Sequence, residues 1–116
     1  MFLKLKHTTL DIFQATKLLV LECYKSAMML PAEEKYAMTQ QIRRTALSVH
    51  LNVAEGCSRK SQAERKRFYE IARGSLIEVD TAFDLAVNLK YCTESQLSVL
   101  GEKIVNVYKQ LSGLIG

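Results

Sequence analysis

Residues 61–90 read SQAERKRFYEIARGSLIEVDTAFDLAVNLK, and residues 93–114 read TESQLSVLGEKIVNVYKQLSGL. In the first stretch Phe68, Ala72, Ser75, Val79, Ala82, Ala86 and Leu89 alternate four and three apart. In the second, Leu97, Leu100, Ile104, Val107, Leu111 and Leu114 do the same. That period is the heptad-like seam of helices in a left-handed bundle, with crossing angles of about 20°. Each stretch opens on a capping box, Ser61 with Glu64 and Thr93 with Gln96, where each side chain can satisfy an orphan amide at a helix start. The small side chains of Ala72, Ser75, Ala82 and Ala86 predict a close approach to a neighbouring helix, and Gly74 is read the same way.

Working outward, a first helix is expected from about Thr9 to Leu30, capped by Thr8 or Thr9 and stopped by Pro31. A second is expected from about Glu33 to Glu55, with Gly56 as a left-handed stop. The third runs from Ser61 to about Lys90, and the fourth from Thr93 nearly to residue 116. The connections are short, which favours antiparallel neighbours. No strand pattern, internal repeat or low-complexity segment is visible. The expected fold is all-α: one antiparallel, up-down four-helix bundle over residues 1–116.

Composition supports this. Of 116 residues, 48% are apolar, enough for a continuous core. One proline and five glycines are too few for a sandwich or barrel with many turns. Cys23, Cys57 and Cys92 are odd in number and lack C-x-x-C spacing, so neither a disulfide framework nor a zinc site is expected. Lys4 and Lys6 precede no long apolar run, and Leu18–Leu21 is too short for a bilayer span or signal core. The expectation is a soluble cytoplasmic protein with reduced thiols, no metal, no cofactor and no membrane partner.

The second helix carries two apolar stripes. Ile42, Ala46, Val49 and Val53 form one; Tyr36, Leu47, Leu51 and Ala54 form another, rotated by roughly 130°. A monomeric bundle buries one stripe per helix. The second stripe therefore predicts a subunit interface, against the plainer reading of a helix wedged between two neighbours of its own chain.

The net charge of +4 is local. Between Ser58 and Arg73 lie six basic residues, Arg59, Lys60, Arg65, Lys66, Arg67 and Arg73, against Glu64 and Glu70; the remainder of the chain is neutral. Cations before a helix N-terminus oppose its partial positive charge, and a phosphate there would relieve them. Arg59, Lys60, Arg65, Lys66 and Arg67 are the candidate phosphate contacts, with a solvated basic face as the plain alternative. Glu64 and Glu70 decide between them: neutralising the cations in space would favour a protein-interaction scaffold without nucleic-acid binding.

Catalytic chemistry finds no constellation. His7 and His50 are the only histidines. Ser48 and His50, two apart, do not share a helix face, and no HExxH, GxSxG or phosphate-cradling glycine loop occurs. Glu55 and Glu78 are assigned to structural ion pairs with Arg43 or Arg44 inside the bundle. The five tyrosines are scattered and form no stacking platform for bases.

The run Gln41-Ile42-Arg43-Arg44, followed by Ala46, Ser48 and Asn52-Val53-Ala54-Glu55-Gly56, resembles the central motif of one family. These are the four-helix-bundle proteins encoded in intervening sequences of bacterial 23S ribosomal RNA genes, also labelled S23. The resemblance continues through Arg59, Ser61, Arg67-Phe68, Ile71-Ala72, Gly74-Ser75 and Glu78. It implies an antiparallel four-helix bundle assembled as a homopentameric ring. It also implies kinship with the accessory variability proteins of diversity-generating retroelements, which are basic pentamers that bind nucleic acid and a reverse transcriptase. RNA or DNA, or a protein partner, is the expected ligand.

Overall fold

A computed structural model describes residues 1–116. Four α-helices account for the architecture: α1 (Asp11–Ala27), α2 (Met38–Ser58), α3 (Gln62–Asn88) and α4 (Ser98–Ile115). Single 3-10 turns precede three of them, at Lys6–Thr9, Ala32–Glu34 and Ser95–Leu97. No strand is present. The helices pack in cyclic order, with α2 against α3 most extensively, then α1 on α2, α1 on α4 and α3 on α4. No helix is long and apolar enough to cross a membrane.

The helices begin and end at points set by local chemistry. α1 starts two residues later than Thr9, because Thr8 and Thr9 turn their hydroxyls back onto the Leu5 and Lys6 carbonyls. α2 starts at Met38, not Glu33. Glu33 and Glu34 sit in the turn that follows Pro31, and Glu34 accepts from the Met38 amide at 3.4 Å and the Tyr91 hydroxyl at 2.8 Å. That acceptor ties the α1–α2 connection to the α3–α4 connection. Thr93 and Gln96 complete their reciprocal cap at 3.0 and 3.2 Å, but on the 3-10 turn that leads into α4. Ser61 accepts from the Glu64 amide at 3.1 Å.

Two glycine expectations exchange roles. Gly56 is no left-handed stop; α2 runs through it to Ser58. A Cβ at Gly56 would stand 2.8 Å from Tyr69 Cε1 and 3.2 Å from Phe68 Cβ, so its hydrogen is what admits the tyrosine ring. Gly74, expected at a close contact, has nothing within 4 Å of a Cβ. The left-handed residue is Lys90 (φ 68°). It follows the end of α3, where the Tyr91 amide reaches the Ala86 carbonyl and the Lys90 amide reaches Val87, the paired bonds of a Schellman stop.

The core holds 20 buried residues drawn from every helix and from the connections. Ile42, Ala46, Val49 and Val53 of α2 are wholly buried, as are the central seam residues Leu100, Val107 and Leu111 of α4, with Ile104 nearly so. On α3 the seam is corrected. The buried line is Tyr69, Ala72, Leu76, Val79, Phe83 and Ala86. Phe68, Ser75 and Ala82 are displaced to the flank, and Leu89 is exposed. Larger side chains one position on fill the centre, because burying Leu or Phe removes more apolar surface from water than Ser or Ala. The small flank residues then face α2, where Ser48 and Ser75 hydroxyls meet at 2.9 Å and Asn52 donates to Ser48.

On the α1–α2 side, the rings of His7, Phe13 and His50 pack in series, the first pair edge to face and the second tilted, with centroids 5.4 and 4.7 Å apart. His50 Nδ1 lies 2.8 Å from the buried Thr16 hydroxyl, which also meets the Ile12 and Phe13 carbonyls. Burial, helped by Lys17, pushes the His50 pKa below its ordinary value of 6.5. Burial raises the Cys23 thiol to about 12, with Glu22 adding to it.

Two measurements test this packing. Gly56→Ala should lower unfolding free energy by about 1–3 kcal/mol through overpacking against Tyr69, whereas Gly74→Ala should raise it by about 1 kcal/mol through helix propensity; denaturant titration reads both. Because folding depresses the His50 pKa, its contribution is complete above about pH 6.5 and declines as pH falls through that value. Denaturation midpoints should therefore drop below that pH, and His50→Gln should flatten the step.

Candidate nucleic-acid interface

The basic segment is built around the α2–α3 turn. α2 ends at Ser58, Arg59 and Lys60 form the connection, and Ser61 caps α3. Arg65, one turn into α3, reaches back with Nη1 to the Arg59 carbonyl at 3.0 Å and the Lys60 carbonyl at 2.7 Å. It thus satisfies two carbonyls of the connection, which lie outside either helical ladder. Below the turn, Tyr69 fills the space left by Gly56, and its hydroxyl lies 3.5 Å from Cys57 Sγ. Burial, then the Cys57 contact, raises the Tyr69 pKa above its ordinary value.

The five candidate cations do not act alike. Arg59 pairs with Glu55 at 3.0 Å and covers the Phe68 ring at 5.0 Å. Arg65 fastens the turn and is half-buried. Lys66, half-buried, lies beside Gly116 at the end of α4. Lys60 and Arg67 are exposed. The Arg59–Glu55 bridge is the one ion pair in the chain, so neither Glu64 nor Glu70 is paired with any of the five. Farther along α3, Arg73 turns inward to Ser112 Oγ at 3.1 Å and the Tyr108 ring at 6.0 Å.

Residues far away in sequence join the same end. The start of α1, Tyr69 of α3 and the end of α4 line one cleft of about 400 Å³, through Leu10, Asp11, Tyr69, Gly113 and Leu114. The up-down topology therefore brings residues before α1 to the level of the α2–α3 turn. The half formed by residues 1–18, 49–74 and 109–116 holds ten Lys and Arg against four Asp and Glu. The opposite half, residues 19–48 and 75–108, holds six against eight. The linear charge pattern does not show that Lys4, Lys6 and Lys109 share this half of the bundle, because the topology puts them there. Nor does it show the negative end, since helix reversal sorts a sequence that is neutral when read in order.

The assigned bundle-interior ion pairs are corrected. Arg43 and Glu55 are twelve residues apart on one helix, about 18 Å along its axis, beyond side-chain reach. Glu55 takes Arg59 instead, one turn away. Glu78 and Arg44 are exposed and unbridged. Arg43 lies half-buried against α1 with its guanidinium over the Tyr24 ring at 5.5 Å, its Nε buried without a hydrogen-bond partner.

The second apolar stripe of α2 points outward. Leu47 is 39% exposed, Leu51 57% and Tyr36 80%; Ala54 is half-buried. Tyr36 belongs to the connection before α2, where Lys35 lies over its ring. The wedged-helix alternative fails for Leu47 and Leu51, since no helix of the chain covers them. No three His, Cys, Asp or Glu side chains converge in a metal-binding arrangement. The chemistry this end offers is a set of cations on a rigid turn.

The sequence model for 23S rRNA-intervening sequence proteins matches residues 8–113. The chain belongs to this family. Its fold is shared by a crystallised protein of unknown function from the S23 ribosomal protein family of Bacteroides thetaiotaomicron. That structure superimposes with a TM-score of 0.81 at 21% identity, over 90% of this chain and 97% of the other. Among curated proteins, no sequence matches the chain as a relative. Family membership and the shared four-helix fold thus agree with the motif in α2, from Gln41 to Gly56.

Proposed function

We propose that this 23S rRNA-intervening sequence protein is a non-enzymatic homo-oligomer, a pentameric ring, that binds nucleic-acid phosphates through the basic end of its bundle. The observation that carries this reading is the sorting of charge. Ten cations and four anions share one half of the bundle, and neither Glu64 nor Glu70 forms an ion pair with the cations at the turn. Lys60, Lys66 and Arg67 are the principal phosphate contacts. Arg65 and Arg59 contribute charge while holding the turn. Each patch is weak alone and reads no base edges. A ring repeats it around an axis, so one strand that spans several subunits gains avidity.

The oligomer reading rests on the outward residues Leu47, Leu51 and Ala54, an apolar strip that a second subunit would cover. A second reading, a protein-interaction scaffold, draws support from Leu18 and Leu21 of α1, 50% and 60% exposed on a different face. Both readings fit a chain whose site holds no catalytic constellation.

Fluorescence anisotropy with a short single-stranded RNA, and with DNA of the same sequence, tests the binding. The affinity should fall steeply with salt. Lys60→Gln, Lys66→Gln and Arg67→Gln together should weaken binding by at least about tenfold and lower the salt slope by roughly one for each phosphate released. No binding at low salt, or no effect of the triple change, would leave the scaffold reading ahead. For the assembly, light scattering should return a pentamer mass, and Leu51→Asp should dissociate it with the helical signal kept. Val49→Asp should unfold the chain instead, because it strands a charge in the core. A monomer mass for the unaltered chain would sink the ring.

A further inference from the structure

The α3–α4 side of the bundle carries a groove that neither the α2 strip nor the basic turn uses. Two depressions of about 300 Å³ each run together through Asp80 and Ile104. Ile77, Val105 and Tyr108 line it and are 50%, 52% and 44% exposed. Asp80 and Asp84 stand along its α3 side, with Glu94 at the far end. Its α4 wall runs from Leu97 to Lys109, about 18 Å at helical rise.

Residues 1–6, MFLKLK, are a second unpartnered apolar element. Phe2 is wholly exposed, and Met1, Leu3 and Leu5 are 65%, 64% and 46% exposed. Leu5 has extended dihedrals of −85° and 152°. Six extended residues span about 17–20 Å, the length of the groove. Alternation places Met1, Leu3 and Leu5 on one side of such a strand and Lys4 and Lys6 on the other. The lysines then lie about 7 Å apart, against about 6 Å of helical rise between Asp80 and Asp84.

The segment cannot serve its own groove. The Lys6–Thr9 turn, which its last residue opens, packs on α1 and α2, across the bundle from α3 and α4. The bundle is 21 Å thick at its narrowest, so six residues cannot both cross it and fill an 18 Å groove. We infer that residues 1–6 of one copy lie extended in the α3–α4 groove of a second copy, with Leu3 and Leu5 turned to the α4 wall at Val105 and Tyr108 and with Lys4 and Lys6 turned to α3 beside Asp80 and Asp84. This contact draws Lys4 and Lys6 from the basic half but uses none of Lys60, Lys66 and Arg67, the principal phosphate contacts, nor Leu47 or Leu51 of the α2 strip.

The test places a photocrosslinker in the full chain, Phe2→benzoylphenylalanine, and refolds it from denaturant together with an excess of uniformly 15N-labelled chain lacking the crosslinker, so that assemblies contain both. After irradiation, mass spectrometry should find residue 2 joined to labelled peptides between Leu76 and Lys109. Asp80→Lys with Asp84→Lys in the labelled chain should cut that yield roughly fivefold, and Lys4→Glu with Lys6→Glu in the crosslinking chain should restore it. Both aspartates are exposed; Asp80→Asn with Asp84→Asn, a milder change, should lower the yield in the same direction. Adducts confined to the unlabelled chain, adducts on other surfaces, no adduct, or a yield indifferent to charge reversal would each overturn the inference. Anisotropy with RNA on the Asp80→Asn, Asp84→Asn variant, which keeps every cation, should be unchanged and so separates this contact from the basic end.

Discussion

The structure depends on how closely α3 approaches α2. Gly56 leaves room for the Tyr69 ring, Ala46 and Ala72 are wholly buried, and Ser48 meets Ser75 directly. Small residues on facing helices allow that approach, and close-packed interiors lose dispersion energy when it is relaxed. The short α2–α3 connection is possible only because the two helices are already in contact at its base. Arg65 then fastens the turn by bonding the Arg59 and Lys60 carbonyls. The cations of the α2–α3 turn, Arg59 to Arg67, are held where they are beside this contact between a glycine and a tyrosine.

Charge is sorted by the same topology. Two connections and the residues flanking α1 and α4 alternate between ends of the bundle, so sequence blocks far apart become neighbours. One end gathers cations that repel each other, at a helix start whose dipole is also positive. Arg59 relieves part of this through Glu55 and Phe68. Lys60 and Arg67 have no such partner, and a bound anion would supply one. Arg65 shows that charge and structure are not separable here, because the side chain that adds to the patch also closes the turn.

Helix number, order and type are legible in residues 61–114, because heptad spacing and capping boxes are local signals. Individual core positions on α3 are less so. A period of 3.5 accepts Ser75 or Leu76 almost equally, and only packing against α2 and α4 decides that the larger residue takes the centre. Gly56 and Gly74 depart from expectation for a related reason: a glycine's role is set by what faces it, which a single sequence does not contain. The cations at 59–67 are visible as a linear cluster. Their division into the turn-closing Arg65, the paired Arg59 and the exposed Lys60 and Arg67 is not, since it follows from side-chain reach in three dimensions. The same limit applies to Glu55, whose partner is one turn away at Arg59 and not on the opposite half of α2.

The most direct measurement is ultraviolet crosslinking of the intact protein to single-stranded RNA, with the modified peptides mapped by mass spectrometry. The account predicts adducts concentrated in residues 59–67, and sparse on the acidic end around Asp80, Asp84 and Glu94. Adducts spread evenly over both ends, or centred on the acidic end, would contradict it.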